Sequence, residues 1–338
     1  MFKYILKRLG YMVCVFVIVS LLMYSVYNLI PSDPARSQLE GIKTTLKPEE
    51  YQERYQALRD EMGLDDPIVV RYARWMGLLP EKSGEFNGYL QGNFGFSQLY
   101  KQNVIDIIGD PMIVTVRLNI LSTILALGIT IPLGIYCAVH KKGIVDQITQ
   151  VVTIIGYSIP SYIIALVFIW LFGVILGWFP VSGIETPGND FVGWEAFVDK
   201  LYYMSLPVLV MTFGSLGGMT RYVRAAMIES LGMDYIRTAR AKGLKEKVVI
   251  YSHAWRNALL PIITTIIGWF LSIFGGSIVI ENTFNISGMG KLYFSGLMQQ
   301  DYELALATQM FYIVISLIGA LITDLSYGLV DPRVRVDK

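Results

Sequence analysis

Cysteine and histidine are scarce, with two of each among 338 residues. Cys14 and Cys137 both fall in long apolar runs, where a thiol serves as small apolar filler. That excludes a disulfide framework and redox chemistry. His140 and His253 sit at loop edges without a second ligand nearby, so no metal site is expected. Charge surplus is absent too. The 28 basic and 27 acidic side chains leave a net charge of +1, which lacks the basic excess that phosphate neutralisation requires and excludes nucleic acid as a partner. Catalytic signatures are also missing. There is no GxxxxGK[ST], so the chain is not expected to bind ATP or its Mg2+ itself. The nearest string, Gly288-Met289-Gly290-Lys291, lacks both the upstream glycine and the following Ser or Thr. With no nucleophile elbow, HExxH or paired carboxylates in the apolar runs, no catalytic residue is assigned and an intramembrane enzyme is disfavoured.

What the chain does have is apolar length. Hydrophobic residues make up 54% of it and mean hydropathy is +0.49. They gather in six blocks, at 9–30, 113–139, 148–179, 203–219, 259–280 and 304–330. A hydrocarbon core of about 30 Å needs about 20 apolar residues in a helix, so these blocks read as six spans of an all-α polytopic membrane protein. The first block, preceded by Lys3, Lys7 and Arg8, is too long for a signal-peptide h-region and no small-x-small site follows it. It is expected to be retained as a span.

Residues 31–110 are polar and rich in both signs of charge. Within them, 48–62 predicts an amphipathic helix, with Pro48 in the first turn, an apolar stripe at Tyr51, Tyr55, Leu58 and Met62, and Gly63 as the stop. Pro132, Pro160 and Pro207 mark expected kinks in the spans. Gly173 with Gly177, and Gly214 with Gly218, have the small-xxx-small spacing of close helix contacts. The ionisable residues that enter spans, chiefly Arg117 and Asp324, lie near interfaces where they can snorkel or pair, and a structural role is favoured for both.

Charge in the short loops sets orientation. With the N-terminus inside, the cytoplasmic side carries Lys141, Lys142, Arg221, Arg224, Arg237, Arg240, Lys242, Lys245, Lys247 and Arg256, while the two short outer loops carry only Lys200 and Lys291. This positive-inside asymmetry places both termini in the cytoplasm. The outer loops are acidic, a face that suits a basic docking partner or cationic cargo as well as plain solvation.

The basic segment 220–261 is the one long, charged, helix-prone stretch on the cytoplasmic side. Asp234 is placed to cap a short helix over 235–242, and Gly243 sits where that helix would end. Charge alone is equally served by a solvated loop. The string DYIRTARAKGL (234–244), with RNALLP (256–261) after it, resembles the cytoplasmic EAA loop of ABC importer permeases. The form is that of the dipeptide/oligopeptide (DppB/OppB-type) family. Arg237, Thr238 and Ala239 occupy the Glu-Ala-Ala places, Gly243 is the glycine, and Leu260-Pro261 closes the motif. The first two positions depart from the general pattern, and the spacing to Pro261 is about one helical turn longer than in sugar permeases. Both departures resemble the peptide branch. LIPSDPA (29–35), MGLDDPIVVRYARW (62–75), LQGNFGFS (90–97), FPVSG (179–183), ENTFNISGMGKL (281–292) and DPRVR (331–335) extend the resemblance over nearly the whole chain.

The resemblance implies a type I ABC importer permease. Residues 1–30 would form the first helix, 31–110 an extracytoplasmic insertion, 111–330 the five-helix core and 331–338 a cytoplasmic tail. It further implies a homologous second permease subunit, two ABC ATPases that carry ATP and Mg2+, an extracytoplasmic solute-binding protein, a peptide substrate and a bacterial or archaeal plasma membrane. Coupling to the ATPases would fall to Asp234 and Gly243 as caps, Ala239 as the small residue of close approach, and Tyr235, Arg237, Thr238, Arg240 and Lys242. Arg256, Asn257 and Pro261 would anchor the re-entry into the membrane. The kink region with Tyr157, Ser158, Pro160 and Tyr162, and the polar stretch with Thr212, Ser215 and Thr220, are candidates for the substrate path, since irregular or polar helix faces need a water-filled cavity. The same architecture serves nickel complexes, glutathione, opines or peptide signals, and a channel or intramembrane enzyme working without ATPases is the alternative from another class.

Overall fold

The computed structural model describes residues 2–30, 33–43 and 46–330; the tail string at 331–335 lies outside them. Five helices are long and apolar enough to cross a membrane, and a bent pair makes a sixth if it counts as one span. These are α1 (Phe2–Leu29), α5 (Val104–Val139), α8 (Trp194–Leu231), the helix Glu246–Phe274 and α14 (Tyr302–Val330), with the pair α6 (Ile144–Ser158) and α7 (Ser161–Phe168). The only strands among the described residues are the two-residue β1 (Phe96–Ser97) and β2 (Gln102–Asn103), paired antiparallel. The fold is all-α, as the sequence predicts.

The chain separates into two compact units, Met1–Gly109 with Tyr293–Val314 and Asp110–Leu292 with Ile315–Lys338. In the first, α2 (Pro34–Leu39) and α3 (Pro48–Met62) form a small satellite core. The predicted stripe of α3 is what packs there: Tyr55 is buried with Ala35 and Leu39, flanked by Tyr51, Leu58 and Met62. Gly63 ends α3 at φ 62°, the left-handed cap that a Cβ disfavours. The larger core of this unit gathers Tyr24 and Tyr27 of α1, Tyr72 and Met76 of α4 (Ile68–Met76), and Ala305, Leu306 and Met310 of α14. Asp301 caps α14 by accepting from the Leu304 amide (3.3 Å), and also accepts from the Ser97 hydroxyl (2.6 Å) and the Leu99 amide (3.0 Å). The FGFS string is thus the place where the polar loop is tied to a helix start.

In the second unit, α8 packs against α6 and α11 (Arg256–Leu271). The kink expected at Pro160 is present and sharp: the block at 148–179 turns by 108° between α6 and α7. Ile159 and Pro160 both lie in extended conformation, and Pro160 lacks the amide that would continue the ladder. Pro132 and Pro207, by contrast, lie inside α5 and α8 without interrupting them. The glycine pairs differ from expectation. A Cβ on Gly214 or Gly218 would meet open space, and Gly177 ends its helix at φ 62°. Close helix approach falls instead to Gly217, where a Cβ would lie 2.7 Å from the Thr153 carbonyl oxygen, and to Gly156, against the Phe213 ring.

Candidate functional site

The predicted short helix exists. α9 (Asp234–Ala241) is amphipathic, with Ile236 and Ala239 buried and the rest of its surface exposed. Spacing explains this, because positions three apart share a helix face. Ile236 and Ala239 join a core with Met227 of α8 and with Val249, Ala254 and Ala258 of the helical stretch that follows. That stretch starts as α10 (Glu246–Val248) and passes through a π-helical turn, Val249–Trp255, into α11.

The start of α9 differs from expectation. Met233 is the cap, in extended conformation with φ −79° and ψ 155°, and Asp234 is the first helical residue. Its carboxylate makes no capping bond but lies at the positive end of the helix dipole. It pairs with Arg237 at 3.5 Å, and both side chains are over four-fifths exposed. The far end matches: Gly243 adopts φ 72°, its amide donates to the Arg240 carbonyl (2.9 Å), and the Leu244 amide donates to that of Ala239 (3.4 Å). A Cβ on Gly243 would meet nothing within 4 Å, so the glycine is required by conformation and not by crowding.

Two polar connections hold α9 in place. The Ser230 hydroxyl lies 2.8 Å from the Ala254 carbonyl and 2.7 Å from the Tyr235 hydroxyl. A carbonyl only accepts, so Ser230 donates to Ala254 and Tyr235 donates to Ser230. One buried hydroxyl therefore ties α8, α9 and the π-turn together. The second connection is a fork: Arg240 donates from Nε (3.2 Å) and Nη2 (2.6 Å) to the Glu246 carboxylate. This hydrogen-bonded pair raises the Arg240 pKa.

Of the residues predicted to meet an outside partner, Asp234, Arg237, Thr238 and Lys242 lie on the exposed face, and Tyr235 is partly exposed. Thr238 returns its hydroxyl to the Asp234 carbonyl at 3.1 Å. Ala239 is corrected: at 4% exposure it permits close approach to this chain's own core and is closed to an outside partner. Arg256, Asn257 and Pro261 are exposed along the helix after the π-turn. Asn257 donates to the His253 carbonyl (2.7 Å), and Tyr222 of α8 donates to the Pro261 carbonyl (3.0 Å).

The other candidates divide. Tyr157, Ser158, Pro160 and Tyr162 are exposed around the 108° break. Thr212 and Thr220 are not, at 3% and 1% exposure, and Ser215 is half-buried with its hydroxyl bonded to the Met211 carbonyl (2.9 Å). Both threonines are closed to solvent in this chain, and the Thr212 hydroxyl lies against α5, 3.5 Å from the Ser122 carbonyl.

Besides Asp301, two buried carboxylates carry no local signal in the sequence. Asp146 of α6 is held by Arg224 of α8 through two bonds of 2.6 and 2.8 Å. Glu281, in α12 (Ile278–Thr283), accepts from the Thr115 hydroxyl (2.8 Å), the Lys291 amide (3.0 Å) and the Ser277 amide (3.3 Å). Burial pushes its carboxyl up against these donors, which pull it down. The Gly288-Met289-Gly290-Lys291 string is thereby explained: it wraps Glu281 and leads into α13 (Met289–Met298). Among the described residues, no three His, Cys, Asp or Glu side chains gather as a metal site.

Beside its long apolar helices the chain carries short amphipathic ones, among them α9. The profile described as "Binding-protein-dependent transport system inner membrane component" matches residues 130–336, and its N-terminal companion matches 1–119. The chain belongs to this family and is a multi-pass membrane permease subunit. It is 34% identical to the oligopeptide transport system permease protein AppB of Bacillus subtilis (strain 168), over 99% of this chain and 100% of that one. It is 32% identical to the dipeptide transport system permease protein DppB of Lactococcus lactis subsp. cremoris (strain MG1363), again over 99% and 100%. An inward-facing structure of the MetNI methionine ABC transporter aligns with a TM-score of 0.48 at 17% identity, over 65% of this chain and 96% of that one.

Proposed function

We propose that this chain is one permease subunit of an ATP-driven importer of peptides and that α9 is the helix on which the ATPases act. The observation that carries the reading is the two-sidedness of α9. Ile236 and Ala239 fasten it to α8 and the π-turn, while Asp234, Arg237, Thr238 and Lys242 remain on the side away from the chain. A helix fixed on one face and charged on the other can pass a push inward only if something grips the charged face.

In this reading a homologous permease completes the pathway and two ABC ATPases grip one such helix each, supplying ATP and Mg2+ chemistry that this chain lacks. A solute-binding protein delivers the peptide on the opposite side. Both termini and α9 lie in the cytoplasm, consistent with the basic side chains around them. ATP-driven closure of the ATPases and docking of the binding protein bias the same two-state arrangement of spans, which is what directional transport requires. The break flanked by Tyr157 and Tyr162 lines the path in this reading, supported by the exposure of these side chains.

Solubilisation in mild detergent and affinity capture of this chain tests the reading. Two P-loop subunits are expected to co-purify, and replacement of Arg237 and Lys242 by Glu is expected to release them. Capture of a chain free of ATPases, in membranes that still take up peptide, would refute it.

A further inference from the structure

We propose that Asp146 is a positioning residue for transport: its paired bonds to Arg224 make α6 and α8 one body, which carries movement of α9 to the break at Pro160. The inference rests on the coupling role proposed above for α9.

Asp146 is the third residue of α6 and is 1% exposed. Its Oδ1 accepts from Arg224 Nε (2.6 Å) and Gln150 Nε2 (3.2 Å), and its Oδ2 accepts from Arg224 Nη2 (2.8 Å) and the Lys142 amide (2.9 Å). One carboxylate thus fixes three things. It holds the turn after α5, where Lys142 stands at φ 66°, the first turn of α6, and the second half of α8. Arginine suits this better than lysine. Two parallel bonds from a planar fork set an angle as well as a distance, so α6 cannot roll on α8 without breaking one of them.

Farther along the same pair of helices, backbone contact takes over from charge. Gly217 faces the Thr153 carbonyl and Tyr157, and Gly156 faces Phe213, with no room between them for a larger side chain to enter freely. α6, pinned to the second half of α8 near both of its own ends, moves with it. On the α9 side, Ser230 follows Arg224 by six residues, about 9 Å along α8, and binds both Tyr235 of α9 and the Ala254 carbonyl. On the other side, α6 ends at the 108° turn into α7. The series from Tyr235 through Ser230, Arg224 and Asp146 to Pro160 is continuous in packed helix and bonded side chain. A buried pair kept only for stability has no need to lie on that line.

The test uses the whole complex, with both permeases, the ATPases and the binding protein, in proteoliposomes. Alanine peptides from dipeptide to pentapeptide serve as probe. Asp146→Asn keeps acceptor capacity for the Lys142 amide and removes the charge. Peptide moved per ATP hydrolysed should fall about tenfold while ATP hydrolysis per assembled complex stays within about twofold. Arg224→Lys should fall between Asp146→Asn and the unaltered chain. The double variant Asp146→Asn, Arg224→Met should be no worse than either single one, as expected for groups acting as a unit. A second measurement needs no cargo. Spin labels at Lys245→Cys and Tyr162→Cys, in a chain with Cys14 and Cys137 replaced by Ser, should change separation on ATP addition, and Asp146→Asn should abolish that change. An unaltered peptide-to-ATP ratio in Asp146→Asn, additive losses in the double variant, or a persisting distance change would each overturn the proposal. So would failure of every variant to assemble, Arg224→Lys included, since the pair would then serve folding alone. Absence of ATPases from the unaltered complex would instead refute the coupling reading itself.

Discussion

Two glycine-bearing turns of the second unit, the one that ends α9 and the one that wraps Glu281, are similar in sequence texture and opposite in construction. At Gly243 the backbone is left-handed, with φ 72°, and the space where a Cβ would go is open. At Gly288 φ does not lie in the left-handed region, but a Cβ would fall 2.5 Å from the Glu281 carboxyl carbon and 2.6 Å from the Thr115 hydroxyl. One glycine is there for its conformation and the other for its absence of volume. The first turn leaves charge exposed beside it, at Arg240, Lys242 and Lys245; the second closes over a buried carboxylate and satisfies it with donors from α5 and from its own backbone. The turn beside the exposed charges is built with slack, and the turn over the buried carboxylate is built without it.

The largest expected effect comes from filling the closed turn. Gly288→Ala forces a methyl against the Glu281 carboxyl and should cost about 3 kcal/mol, the upper range for overpacking a filled site. Thermal unfolding in detergent would show it as a clear fall in midpoint. Glu281→Gln should follow at about 2 kcal/mol, because an amide N–H then faces a backbone N–H and leaves a buried donor unpaired. Should both variants unfold like the unaltered chain, the turn around Glu281 has slack after all and the comparison fails.

An intermediate effect is expected at the open turn. Gly243→Ala meets no neighbour, so only the left-handed backbone counts against it, about 1–2 kcal/mol. Gly243→Asn should cost less, since asparagine tolerates that conformation. The order Ala worse than Asn, read from unfolding midpoints, is the signature of a conformational glycine; the reverse order, with the larger Asn worse than Ala, would point to crowding instead. If α9 is the coupling helix, transport should fall in that same order, by more than the midpoints alone would explain.

Much of this was legible in the chain itself. α9, α3 and the ends marked by Gly243 and Gly63 followed from spacing and stop signals, because those are local properties of the backbone. The buried carboxylates were not. Nothing around Asp146 distinguishes it from a solvated residue after two lysines, and its partner lies 78 positions away. Glu281 is separated from Thr115 by 166 positions. Residues that far apart are brought together only by packing, which no local pattern records. Thr212 and Thr220 misled for the related reason that a polar side chain in a span can face a cavity or a neighbouring helix, and periodicity does not separate the two. Asp234 was displaced by one position, since a side chain able to cap is equally stable inside the first turn, where the helix dipole favours it.

The smallest stability effect is expected from the fork between Arg240 and Glu246, and it is the most informative about the open turn. Both side chains are about half exposed, at 49% and 54%. Water and salt screen such a pair, so removing it should change folding stability by about 0–1 kcal/mol. Arg240→Ala should therefore leave the unfolding midpoint nearly unmoved. It also frees Glu246, whose uncompensated charge would then sit beside the exposed face of α9. If that face is gripped by ATPases through Arg237 and Lys242, Arg240→Ala should weaken their retention in affinity capture, and more so at low ionic strength. Arg240→Ala with Glu246→Ala should restore most of the retention, because the net charge of the face returns to its original value. A loss of several kcal/mol in Arg240→Ala would mean that α9 is locked by its own fork, as the turn around Glu281 is locked by its hydrogen bonds, and the distinction between the two turns would not hold.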